Sequence, residues 1–209
     1  MARRPRRDLF DPASRALAQK TIEAIEAQTS AEVVIALRRV SGDYRAADYI
    51  GGSLLALVAL LVLVFHPARF DERWFAIDLA CAWVIGGLVT SRSDRIRRLF
   101  SGARRQREAV AQAARAAFVE RGVSKTRGRT GILIYLSCFE RDAEVVPDVG
   151  VSDLGPSFAA QVARLREAMR SPDPELVLPA IEALAPYLAE AHPRGDDDIN
   201  ELLDEVHAP

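Results

Sequence analysis

Hydrophobic and polar positions along the chain fall into three kinds of pattern. Two long apolar runs come first: Ile50–Phe65 has no charge, and Trp74–Thr90 carries one, Asp78. A bilayer core of about 30 Å takes about 17–25 helical residues, so these runs of sixteen and seventeen residues lie near the short limit. A helix on the surface of a soluble domain keeps a polar stripe, and Ile50–Phe65 has none. The pair predicts a transmembrane helical hairpin joined by His66–Arg73. Second come short apolar runs without alternation, Val33–Leu37 and Ile132–Leu136. Such runs fit strands covered by helices on both faces. Third are stripes at helical spacing: Leu17, Ala18, Ile22 and Ile25; Val110, Ala113, Ala114, Ala117 and Phe118; Phe158, Val162, Leu165 and Met169; Leu176, Ile181, Leu184 and Leu188.

Punctuation refines these elements. Asp11-Pro12 reads as a cap with Pro in the first helical turn. Residues 38–48 read as a polar loop, and Arg92–Leu99 as a short continuation of the second span, interrupted by Gly102. Gly122 stops the helix over 103–121. Glu144–Val146 pairs with the second strand as a β-hairpin, and Pro147 ends it or marks an edge. Pro179 and Pro186 predict that the last helix is kinked or divided. The resulting organisation is a first domain part over 1–48, the hairpin over 49–91, a second domain part over 92–192 and an acidic tail over 193–209. One helix and one strand cannot fold alone, so both parts belong to one α/β domain with a small mixed sheet sandwiched by helices. A hairpin returns the chain to the side it left, which lets the first strand reach the second.

Net charge is −1, from 28 Lys and Arg against 29 Asp and Glu, and excludes little; the distribution says more. Arginines crowd both flanks of the apolar pair (Arg38, Arg39 and Arg45 before it; Arg92, Arg95, Arg97 and Arg98 after it), whereas the connection offsets Arg69 and Arg73 with Asp71 and Glu72. The positive-inside rule then predicts a multi-pass protein of the bacterial inner membrane with both termini cytoplasmic. The N-terminus has no apolar core ahead of a cleavage site, so no signal peptide is expected. Cys81 and Cys138 offer neither a disulfide framework nor metal-ligand spacing. Juxtamembrane arginines point to membrane lipid as partner rather than nucleic acid, with another membrane protein as a further partner.

Four segments resemble the TPM domain family, in the family's order: Thr29-Ser30-Ala31-Glu32-Val33-Val34-Ile35 after a helix; Thr126–Ser137; Glu140–Val151; and Pro193–Val206. The resemblance implies a Rossmann-like α/β/α sandwich. Family members have been linked to phosphatase activity, to photosystem repair and to divalent-metal binding. Pro147 stands where the family has a small residue.

No phosphate loop, G-x-G-x-x-G, H-E-x-x-H or C-x-x-C occurs. His66, His192 and His207 read as solvated, and nothing in the sequence places a histidine beside Ser137 or Cys138. One constellation remains. Asp148, past the third strand, and Glu32, opening the first, would form a partial cage for Ca²⁺ or Mg²⁺, joined by Asp43 or Asp153. The alternative is structural: Asp148 shapes a turn with Gly150, and Glu32 flanks its strand. Asp197, Asp198, Asn200 and Glu201 would clamp the tail onto Arg127 or Arg129, or remain solvated. Asp78 would reach the outer interface or Ser53. The expected function is a membrane-held interaction or assembly module. The alternative is a metal-dependent, phosphatase-like hydrolase using Asp148 and Glu32.

Overall fold

The two short apolar runs become neighbours. In a computed structural model describing residues 8–66, 71–151 and 154–195, β1 (Glu32–Arg38) and β2 (Gly131–Ser137) pair in parallel, from Glu32 opposite Gly131 to Arg38 opposite Ser137. β3 (Asp142–Pro147) returns antiparallel to β2, with Pro147 opposite Ile132. The sheet order is β1-β2-β3. β1 is therefore an edge strand; its burial comes from the helices on its two faces. The Val33 N–H is met by Glu26 Oε1 at 2.8 Å.

Period-two alternation divides these strands between two cores. Val33, Ile35 and Leu37 of β1 and Ile132, Ile134 and Leu136 of β2 face α1 (Pro12–Glu26), α6 (Gly155–Met169), α7 (Pro174–Glu182) and α8 (Ala185–Ala191). Val34, Ala36, Leu133 and Tyr135 face Val110, Ala114 and Ala117 of α5 (Ala103–Glu120). Gly122 stops α5 in the left-handed region, at φ 64°. The chain breaks between α7 and α8, with Pro179 inside the first and Pro186 in the opening turn of the second. Asp11 occupies the cap position of α1, but its carboxylate accepts from Asp8 N–H at 3.0 Å rather than from the helix.

Residues 1–41 with 107–209 form one unit, and 42–106 form a second. α2 runs Arg45–Phe65, opening five residues before the apolar run, where Asp43 Oδ1 accepts the Arg45 N–H at 3.0 Å. A short 3₁₀ turn, Glu72–Trp74, leads into α3 (Phe75–Arg92). The second span does not continue past Arg92. Ser93 leaves helical geometry and caps a new helix, α4 (Asp94–Ser101), through Ile96 N–H. Gly102, at φ 72°, ends it.

Within this second unit α2 and α3 pack closely. A Cβ added at Gly86 would lie 2.7 Å from the Gly51 carbonyl oxygen, and one at Gly51 would lie 1.9 Å from Thr90 Oγ1. Tyr49 stacks on Trp83 with ring centroids 6.0 Å apart. Arg97 of α4 pairs with Asp48 of α2 at 2.9 Å. Asp78 is exposed and makes no hydrogen bond to Ser53 among the described residues. Arg45–Phe65 and Glu72–Arg92 are each 21 residues long and apolar enough to cross a membrane. At 1.5 Å per residue each reaches about 30 Å.

Candidate functional site

Polar side chains gather at both ends of the sheet. At the amino end of the parallel pair, the antiparallel return of β3 carries Asp148 back beside Glu32. Asp148 N–H donates to the Gly131 carbonyl at 2.9 Å, and Glu32 N–H to the Thr130 carbonyl at 3.3 Å. The structure thus brings the two predicted carboxylates to one end. Ligand crevices of α/β sheets open at the carboxyl ends of the strands; this is the opposite end.

Asp148 is buried and already engaged. Arg129 Nε donates to Oδ2 at 2.8 Å and Nη2 to Oδ1 at 3.1 Å, while Val149 N–H donates to Oδ1 at 2.8 Å. Burial pushes the Asp148 carboxyl up, but hydrogen bonds from Arg129 and Val149 and the Arg129 charge outweigh it and hold the group below its ordinary value. Arg129 takes a positive φ of 55°, a strained backbone for a side chain with Cβ. Gly150 closes the turn: a Cβ there would lie 2.4 Å from the Gly128 carbonyl oxygen.

A Ca²⁺ or Mg²⁺ cage wants six or more oxygens, and this donor set does not fit one. The bidentate arginine occupies both Asp148 oxygens. Asp43 belongs to the second unit, where it lies 3.7 Å from Arg45. Asp153 lies outside the described residues, as do Asp197, Asp198, Asn200 and Glu201. Among the described residues no group of three or more His, Cys, Asp or Glu is arranged to hold a metal. The turn reading of Asp148 with Gly150 is the one this geometry matches.

The carboxyl end holds a cluster that sequence reasoning missed. Ser41, three residues past β1, has its hydroxyl 2.7 Å from Ser137 Oγ and 3.0 Å from the Tyr135 hydroxyl. Ser137 donates to Glu140, whose other oxygen accepts Ser41 N–H at 2.8 Å. The hydroxyls of Tyr135, Ser41 and Ser137 thus form one hydrogen-bonded chain that ends on Glu140. Burial, the largest cause, raises the Tyr135 pKa although the Ser41 contact lowers it. Ser137 is fully buried, which bars it from a substrate. The relay fastens the chain after β1 to the β2–β3 turn. Cys138, beside it, is pushed up to about 12, first by burial and then by Asp8; its thiol stays protonated at neutral pH and is a poor nucleophile. Arg38 and Arg121 stand near the phenol, and burial followed by the Arg38 charge lowers the Arg121 pKa. The i, i+3 spacing of Ser137 and Glu140 was the only available signal; nothing local announces Ser41.

These observations define a mixed α/β protein with, among the described residues, a three-stranded sheet and two helices long and apolar enough to cross a membrane. No protein-family model and no curated protein matches the sequence. Among solved structures the chain is similar to the NMR structure of the BA42 protein from the psychrophilic bacterium Bizionia argentinensis, with a TM-score of 0.57 and 14% identity over 96% of this chain and 95% of that one. That likeness concerns fold alone.

Proposed function

We propose that the chain is a two-span protein of the bacterial inner membrane, with both termini cytoplasmic, whose divided TPM-like domain serves as an interaction or assembly module. The observation that carries this is the surface of the helix pair. Leu54, Leu57, Val58, Leu61, Val62 and Phe65 of α2 are all at least 47% exposed. Water would oppose that much exposed apolar surface, and a bilayer would not. The arginine-rich flanks support the orientation. Pairing of β1, before the helices, with β2, after them, supports an even number of crossings. A non-catalytic role is supported by the polar groups at the two ends of the sheet, which are engaged within the fold: Asp148 by Arg129 and the Val149 N–H, and Glu140 by Ser137 and the Ser41 N–H. The hydrolase reading gains nothing from Asp148, whose oxygens Arg129 holds.

The test is fractionation and topology of the full chain. It should stay with membranes through an alkaline carbonate wash. Epitope tags at residues 1 and 209 should resist protease in spheroplasts and be cut in inverted vesicles. A chain that stays soluble without detergent, or tags reporting opposite faces, would overturn the reading. Affinity purification from detergent-solubilised membranes should then retain a second membrane protein in fixed proportion; its absence would remove the assembly role.

A further inference from the structure

Resting on the two-span reading, we infer that α4 lies in the plane of the membrane interface as an amphipathic anchor selective for anionic phospholipid. The helix is Asp94–Ser101, and one residue separates it from the end of α3 at Arg92. Its roll is set by one contact. Arg97 is turned onto Asp48 of α2 at 2.9 Å, and both side chains are largely buried. At 100° per residue, Arg95 and Leu99 then lie about 160° and 200° around the helix from Arg97, on the outward side. Ile96 and Phe100 follow Leu99 in one continuous apolar sector, while Arg98 extends the basic sector beside Arg95. Leu99 is 77% exposed, as fully as any large apolar side chain of the described residues.

An eight-residue helix is marginal by itself in water, and one with an exposed leucine at its outward centre lacks a partner for that side chain. A lipid interface supplies both needs. The acyl boundary takes Leu99, Ile96 and Phe100, and phosphate groups meet Arg95 and Arg98, whose long side chains reach up from an apolar bed. Arg92 ahead of the helix and Arg104 and Arg105 beyond it add to the same positive surface. Continuity with the end of a candidate span and charge complementarity choose the lipid as occupant. Each arginine near an anionic surface contributes about fivefold in affinity.

Hydrogen exchange by mass spectrometry tests this on the full chain in nanodiscs of phosphatidylcholine, without or with phosphatidylglycerol. Amides of 94–101 should exchange several-fold more slowly when phosphatidylglycerol is present. The double variant Arg95→Gln and Arg98→Gln should lose that difference, and Leu99→Ser should speed exchange in both kinds of disc. β2 amides, unchanged in every variant, report an intact fold. Equal exchange of 94–101 in the two kinds of disc, or variants that behave as the parent chain, would overturn the inference. A chain that does not enter discs at all would instead overturn the two-span reading. A chain that enters them with a lipid-insensitive α4 removes only the anchor.

Discussion

β2 and the apolar part of α2 are both continuous, largely aliphatic runs with no polar alternation, and they end in opposite surroundings. Every residue of β2 is buried. In α2 only Ala47, Gly51 and Gly52 are, all three near its start and two of them where α3 approaches. The sheet's apolar faces are met by side chains this chain supplies: Ile22 and Leu165 on one side, Val110 and Ala114 on the other. Apart from the face that α3 packs on, the described residues leave the large apolar side chains of Leu54–Phe65 exposed. Apolar burial from water is favourable by about 25 cal/mol per Å², so a fold that covers one such surface completely and leaves the other bare treats them as facing different solvents. In the proposed reading the second solvent is lipid.

The largest expected effect lies on the sheet side of this comparison. Ile134 is 0% exposed at the centre of the middle strand. Ile134→Ala removes buried methyl groups and leaves a cavity, which costs about 2–5 kcal/mol. The same truncation at Leu57, which is 51% exposed, should leave stability nearly unchanged, because in the proposed reading hydrocarbon tails replace the lost contacts. Urea titration followed by exchange of the β2 amides checks the first. Thermal aggregation of the detergent-solubilised chain checks the second. A comparable loss at both sites would mean that α2 is covered in the native protein by something other than lipid.

Charge sharpens the same contrast. At the middle of a span, arginine costs about 2.5–3.5 kcal/mol of insertion free energy, whereas an exposed position of a soluble domain tolerates the change within about 0.5 kcal/mol. Leu57→Arg should therefore deplete the membrane fraction severalfold, read by carbonate extraction and immunoblot. A variant that accumulates normally would place α2 in water.

What could be read beforehand follows from how local each feature is. β1 and β2 announce themselves because burial on both faces leaves no polar position, and the division of the last helix because Pro186 belongs in a first turn. The start of α2 was hidden, since Arg45-Ala46-Ala47 has helix-forming side chains but no apolar signal. The break at Ser93 has a local cause, a hydroxyl capping Ile96 N–H, that the surrounding arginines mask. The site was less legible still. Asp148 was found as a residue, but its meaning is set by Arg129, nineteen positions earlier and in a backbone conformation that sequence seldom reveals. Ser41 meets Tyr135, Ser137 and Glu140 across separations of 94 to 99 residues, which no spacing rule reaches.

The smallest of these effects tests whether Asp148 belongs to the buried sheet unit as a structural charge. Its folded pKa is depressed, so its contribution is complete above the unfolded value near 3.8 and is lost as pH falls through the lower folded value. Asp148→Asn removes the charge while keeping the size. It should destabilise the sheet unit by about 1–3 kcal/mol at neutral pH, the range for leaving a buried partner of a charged hydrogen bond unmet. It should also flatten the part of the acid limb below about pH 4, because the amide does not titrate. Circular dichroism melts from pH 3 to pH 7 compare the two chains. Convergence of the melting temperatures toward pH 3 is the expected sign. A constant gap across that range would mean that the carboxylate stabilises through shape alone. A gap that widens toward low pH would mean that the Asp148 charge is unfavourable in the fold and that the Arg129 pair does not offset its burial.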